Sequence, residues 1–461
     1  MSGDEDSEAS RISRRLKRYA QVGAGLGGIA ARAGAGRLLG LEANNDKTAR
    51  DLKAALGGLK GPIMKVAQMA ATIPDVVPPE FAAELAELQS AAPPMGWNFV
   101  RRRMRSELGV NWEKRFEHFE HEAAAAASLG QVHRAVLPDG VRVAVKLQYP
   151  DMQSAVEADL QQLSLAFSLY RRMDSAVDTR EMFAEIGDRL REELDYELEA
   201  AHMRLYGAIF RDEPRVSVPE VVGALSTKRL LTMGWLDGKP LLSFKDHPLA
   251  ARNRIAEAMF AAWWMPFSHF GVIHGDPHLG NYLVREEEGA EGSGIAGIHL
   301  LDYGCIRLFS PRFVSGVVEL YRALEAGDRD RAAEAYRVWG FKNLSNELID
   351  TLNLWARFIY APMLDDRVRS VADGVRPGDY GRKEAFAVHS ALKAHGPVTP
   401  PREFVFMDRA AIGLGGVFLH LDAQLNFYRL FNETIENFEI GALEARQKAA
   451  LKKAKILTPV A

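Results

Sequence analysis

His274-Gly275-Asp276-Pro277-His278-Leu279-Gly280-Asn281, followed after a short loop by Leu300-Leu301-Asp302-Tyr303-Gly304, decides how this chain is read. Phosphoryl transfer asks little covalent chemistry of a protein. It needs a carboxylate near the accepting hydroxyl and oxygen ligands that hold magnesium on the phosphates. Asp276 and Asn281 stand five positions apart, the separation used by a phosphoryl-transfer catalytic loop, and Asp302 stands where such sites carry their metal-binding carboxylate. The competing reading is two polar loops rich in turn formers. Three oxygen donors in this order favour the chemistry, with Asp276 as base or water-positioning residue and Asn281 and Asp302 as ligands of Mg²⁺.

Working outward, Val143-Ala144-Val145-Lys146 matches the strand lysine that meets the α/β-phosphates of ATP and a helix glutamate. Alone, a lysine ending an apolar strand is an edge charge; its weight comes from the order lysine strand, glutamate helix, linker, catalytic loop, metal triplet. Ala135-Val136-Leu137, the turn Pro138-Asp139-Gly140 and Val141 to Leu147 predict a hairpin. Ahead of it, where a glycine-rich phosphate loop belongs, lies Ala123 to His133. Here Ala124, Ala125, Ala126, Ser128, Gly130 and Gln131 are candidates to meet ATP or ADP, although alanine restricts the backbone more than glycine does. Glu192 to Glu199 belongs to a helical stretch, and Leu230 to Met233 is a strand that runs into the linker Gly234 to Gly238, with Met233 a further nucleotide-contact candidate. The pattern predicts an α+β, two-lobed, protein-kinase-like fold. Its parts are a tail and basic segment over 1–44, a helical extension over 45–115, a small sheet-containing lobe over 116–234 and a helical lobe over 235–461.

Composition sets the bounds. The 461 residues allow a sizeable core, and 47% hydrophobic with 26% charged residues is ordinary for a globular protein. A net charge of -3 gives no electrostatic case for nucleic acid. The single cysteine, Cys305, excludes an internal disulfide framework and suits a reducing cytoplasm. Met1 to Ser10 is acidic and reads as a disordered tail, not a secretory signal. No apolar run is long enough to span a bilayer; Ile255 to Ile273 is interrupted by Glu257, Pro266 and His269 and reads as a buried helix leading into a loop. The segment Ser13 to Leu41, opening with Arg14, Arg15, Lys17 and Arg18, is either a basic helix lying on an anionic bilayer or one packed on the protein itself.

Taken together, these residues resemble the UbiB family of atypical kinases, which support ubiquinone biosynthesis. The alanine-rich loop at Ala123 to Gln131, Glu193-Leu194-Asp195 as a Glu-x-Asp motif and Lys65-Val66-Ala67-Gln68 as a Lys-x-Gly-Gln motif carry the resemblance. It implies that Lys146 pairs with Glu199, that Lys65 reaches toward Glu193 and Asp302, and that the segment holding Lys65 and Gln68 covers the site where a protein kinase accepts a peptide. Ala67 departs from the family's glycine, and its methyl group alters any close backbone approach there. The resemblance further implies ATP hydrolysis with Mg²⁺, coupled to a lipid or quinone-precursor ligand and to ubiquinone-biosynthesis proteins; the polar last residues, Lys452 to Ala461, depart from members with membrane-spanning tails and lead us to expect only peripheral membrane contact. Two other readings compete. His-Gly-Asp-x-His-x-x-Asn also resembles aminoglycoside and choline kinase-like phosphotransferases, and a nucleotide-binding scaffold with negligible turnover would keep the same residues.

Overall fold

The computed structural model describes residues 95–127, 129–157, 160, 187–188, 190–287, 293–342, 344–375, 381, 384, 387–388, 390–391 and 402–456. The chain divides into two units, residues 1–94 with 150–163 and residues 95–149 with 164–461, and the second carries every element below. The tail and basic segment of residues 1–44 and the helices expected over 45–94 lie outside the described residues.

The expected hairpin forms as strands β3 (Gly130–Val136) and β4 (Arg142–Gln148). The valines at 143 and 145 suit a pleated surface, and Gly140 turns the chain at φ 83°, a conformation glycine adopts without a steric penalty. The Leu137 N–H donates to Val141 O at 2.9 Å, and the Val141 N–H to the Asp139 carboxylate at 3.2 Å, which closes the turn. The alanine run differs from the expected loop. Ala125–Ala127 is itself a strand, β2, antiparallel to β3 with Ala125 opposite Val132 and Ala127 opposite Gly130. Backbone pairing with a ready edge decides here over alanine's weak strand preference. With β1 (His118–Phe119) beyond β3 and β6 (Leu230–Gly234) beyond β4, the sheet runs β1-β3-β4-β6 with β2 on β3.

Strand alternation splits this sheet into two faces. Val143, Val145 and Leu147 face a cluster with Val100 and Met104 of helix α1 (Trp97–Leu108), Trp112 and Phe116. Ala144 faces the main core, with Leu231, Met233 and Tyr196. Lys146 lies on that second face, opposite Val132. Helix α2 (Tyr196–Ile209) packs there, its first turn capped by Asp195, which accepts from the Glu197 and Leu198 N–H groups.

After β6 the chain is mostly helical. Helix α3 (Leu249–Phe270) has Trp263 and Trp264 in its core and stops at Gly271, which is left-handed at φ 61°. Among the described residues no helix is long and apolar enough to cross a membrane. A four-stranded sheet, β5 (Val216–Ser217), β10 (Ile295–Leu300), β9 (Tyr282–Glu286) and β7 (Lys239–Pro240), adjoins a two-stranded pair of β8 (Val272–His274) and β11 (Ile306–Leu308). These short strands set the chemistry. Tyr282 pairs with Leu300, and His274 with Ile306, so Asp276, Asn281 and Asp302 all project from adjacent strand ends. Helices α4 (Pro311–Ala326), α5 (Arg329–Trp339), α6 (Asn346–Tyr360), α7 (Arg402–His420), α8 (Phe427–Ile435) and α9 (Ile440–Ala454) follow, with Ser310, Asp328, Ser345 and Asn426 as side-chain N-caps. Gly413 of α7 meets the catalytic-loop region, for a Cβ there would overlap the ring of Pro277.

Candidate active site

Lys146 is buried, and its Nζ donates to Glu199 Oε1 at 2.6 Å while standing 4.0 Å from Asp302 Oδ1. Burial alone would lower the lysine's pKa. The carboxylates of Asp302 and Glu199 more than offset that and hold it above the ordinary lysine value. Burial pushes the Glu199 carboxyl up, against the pull of Lys146. The pair is therefore a strong, enclosed hydrogen-bonded couple with a second carboxylate within reach, which is the arrangement a polyphosphate needs at its α/β end.

The catalytic-loop side is braced by one imidazole. His274 Nε2 donates to Asp302 O at 2.7 Å, and its Nδ1 accepts the Asp276 N–H at 3.2 Å, so a single ring ties the two acidic residues' backbones together. Asn281 Nδ2 donates to the Asp276 carbonyl at 3.2 Å and to its carboxylate at 3.4 Å. The Leu301 N–H donates to Asn281 O at 3.0 Å. Asp302 Oδ1 accepts the Gly304 N–H at 2.9 Å, which fixes the carboxylate's orientation. His278 is exposed and caps the turn Leu279–Asn281 by accepting the Gly280 N–H at 3.1 Å.

The remaining expected residues divide. A Cβ built on Gly304 would lie 3.6 Å from Glu193 Cγ, so Glu193 sits against the metal triplet. By register Ala125 shares the face of Val132 and Lys146, and Met233 stands opposite Ala144 on that face, buried at the strand's end. Gly130 begins β3 where a Cβ would overlap the Leu147 carbonyl, so only glycine lets the strands approach so closely. Ala124 precedes β2, its N–H donating to Val132 O at 2.8 Å. Gln131 and Ala126 pair with each other across β2 and β3, and their side chains point to the opposite face from Lys146. The Gln131 amide accepts the Met95 N–H at 2.7 Å and donates to Met95 O at 3.1 Å, so its side chain belongs to packing. Lys65, Gln68 and Ser128 lie outside the described residues.

Two further residues lie against Lys146 that no motif marks. Val132 lies opposite Lys146, and the ring of Tyr196 lies under the lysine with Nζ 5.1 Å from its centroid. The signal for Tyr196 was in the sequence: it sits three positions before Glu199 on one helix, and so shares its face. Among the described residues no group of three His, Cys, Asp or Glu side chains could hold a metal alone. A carboxylate and a carboxamide oxygen nonetheless fit magnesium, which keeps waters and takes phosphate oxygens for the rest of its shell.

The description "ABC1 atypical kinase-like domain" matches residues 87–336, just over half of the chain. The chain is 27% identical to atypical kinase coq-8, mitochondrial, of Caenorhabditis elegans, over 87% of this chain and 52% of that protein. It is 30% identical to AarF domain-containing protein kinase 1 of Xenopus tropicalis over 73% and 62%, and 28% identical to atypical kinase COQ8, mitochondrial, of Saccharomyces cerevisiae over 70% and 65%. The matched stretch is thus about half to two thirds of the length of these curated relatives. A solved structure, the complex of Rv3197 with erythromycin from Mycobacterium tuberculosis, is similar with a TM-score of 0.57 at 27% identity, covering 84% of this chain and 96% of that one. The kinase-like α+β architecture expected from the motif order is borne out.

Proposed function

The chain belongs to the ABC1 atypical kinase-like (UbiB) family, and from that premise we propose that it is an Mg²⁺-dependent ATPase of the quinone and isoprenoid-lipid pathway. The observation that carries this reading is the approach of Lys146 Nζ to Glu199 at 2.6 Å and Asp302 at 4.0 Å, on the sheet face that leads to Asp276 and Asn281. In it, Lys146 binds the α/β-phosphates and Glu199 orients the lysine. Asn281 and Asp302 hold Mg²⁺, which when bound neutralises charge developing on the phosphates. Asp276 takes the proton of the accepting hydroxyl or water, its backbone steadied by His274 and its carboxylate by Asn281.

The lobes implied by the motif order, with the boundary near residue 234, belong to the same proposal. So does the cover formed by Lys65 to Gln68, which disfavours a peptide acceptor and favours a lipid or quinone precursor at a membrane surface. Support for that part is the resemblance and the relatives named atypical kinase COQ8. The test is Mg²⁺-dependent ATP hydrolysis by the purified protein, with and without anionic liposomes and a phenolic quinone-precursor analogue, beside an Asp302→Asn control. Turnover that rises with lipid or phenol and vanishes in the control is expected. Tight nucleotide binding without turnover under any condition would replace the ATPase by a nucleotide-binding scaffold.

A further inference from the structure

Tyr196 is 1% exposed and anchors the main core, yet its hydroxyl has no hydrogen-bond partner among the described residues. A buried hydroxyl without an acceptor destabilises the protein that holds it, so a phenol in place of a phenyl ring calls for a reason. Burial also pushes this phenol's pKa well up, so it stays a neutral donor at any ordinary pH.

Its surroundings point to one. The ring lies under Lys146, whose Nζ is 5.1 Å from the centroid. The hydroxyl end abuts the bare Cα of Gly130, where a Cβ would come within 3.0 Å of the phenolic oxygen. Gly130 is the first residue of β3, at the foot of the alanine-rich loop. The phenol therefore bridges the two features that close on phosphates in the proposed function, the loop's end and the strand lysine. Tyr196 also opens α2, one turn ahead of Glu199, so the helix that orients the lysine delivers the hydroxyl too.

We propose that the Tyr196 hydroxyl is a phosphate donor: when a nucleotide polyphosphate occupies the space between Lys146 and the foot of the loop, the hydroxyl donates a hydrogen bond to a phosphate oxygen. This rests on the nucleotide reading of the site. The protein holds the donor unpaired beside Gly130 among the described residues, and the incoming anion supplies the acceptor. A neutral donor next to a lysine suits an anion, because it adds a directed bond without a second buried charge to desolvate.

Tyr196→Phe keeps the ring beneath Lys146 and removes only the oxygen. Calorimetric titration of the full chain with Mg-ADP and with adenosine, together with a thermal melt, tests the assignment. Expected is an affinity for Mg-ADP lower by about tenfold, the scale of one hydrogen bond to a charged group, an unchanged affinity for adenosine, and a melting temperature equal to or above that of the unsubstituted protein. Equal loss for both ligands would make Tyr196 a packing residue, and no loss for either would remove the donor; both overturn the proposal. Failure of the unsubstituted protein to bind Mg-ADP would instead overturn the nucleotide reading, and the proposal with it.

Discussion

The two faces of strand β4 are one backbone thickness apart and solve opposite problems. On the α1 side, Val143, Val145 and Leu147 are fully buried among apolar neighbours, and two polar side chains that share the face, Gln131 and His133, are matched. Gln131 bonds both backbone groups of Met95, and His133 stands between the Gln131 amide at 2.8 Å and Glu120 O at 2.9 Å. On the α2 side the same strand brings Lys146 to Glu199 at 2.6 Å with Asp302 at 4.0 Å, beside the unmatched Tyr196 hydroxyl. On the first face Gln131 and His133 are satisfied by the protein's own groups. The other concentrates the Lys146, Glu199 and Asp302 charges and the Tyr196 hydroxyl, and in the proposed function a nucleotide completes that bonding.

Substituting the lysine attacks the contrast hardest. Lys146→Met is expected to cut ATP turnover by about a hundredfold or more, since phosphate positioning and charge stabilisation are lost together. It also strands Glu199 in the core, a loss of about 3–5 kcal/mol. Lys146→Met with Glu199→Leu should regain most of that stability in urea unfolding, because an apolar pair of similar volume is commonly no worse than a buried ion pair. Turnover should stay absent. A double variant as unstable as the single one would mean that the pair supports the fold, and the two faces would no longer differ in kind.

Gly413→Ala tests the site from the far side. Its methyl group would displace Pro277 and, with it, Asp276. A shift of about 1 Å in a reacting group can cost on the order of a hundredfold in rate. Turnover should fall steeply while affinity for ADP without Mg²⁺ holds, because Lys146 and Glu199 lie on other elements; an equal loss of both would point to general unfolding of the loop.

Leu147→Ala sharpens the opposite half. The side chain is fully buried in the α1 cluster, so denaturant unfolding should report a loss of about 2–5 kcal/mol. Turnover per folded molecule should be unchanged. A defect in rate at full folding would show that the back face steers Lys146.

The smallest expected effect is on acid stability. Burial lowers the pKa of His133, and also those of His269, His299 and His420, below the ordinary histidine value near 6.5. Protonation then favours the unfolded chain, so this stability is complete above about pH 6.5 and is lost as pH falls below it. Thermal melts should drop between pH 7 and 5, and less in His133→Asn. An unchanged acid slope in that variant would mean His133 accepts its proton without strain.

Much of this was legible in the chain. The hairpin around Gly140 and the lysine strand follow from period-two valines and a turn glycine, both local signals. Asp276, Asn281 and Asp302 stand out in the sequence because phosphoryl transfer fixes residue types and order, and the strand pairs Tyr282 with Leu300 and His274 with Ile306 bring the three together. What was not legible depends on register. The alanine run gives no sign of whether it loops or pairs, and once it pairs with β3, Gln131 must turn away from Lys146. Tyr196 reads as an ordinary helix residue until α2 is set against β4, because the contact to Lys146 is tertiary.

The central claim is that Lys146, Asn281 and Asp302 form one magnesium-nucleotide site. Calorimetric titration with ADP in the presence and absence of Mg²⁺, on the unsubstituted protein and Asp302→Asn, tests it most directly. Binding strengthened by Mg²⁺ in the first, with that strengthening lost in the second, is the expected result; ADP binding indifferent to both Mg²⁺ and Asp302 would contradict it.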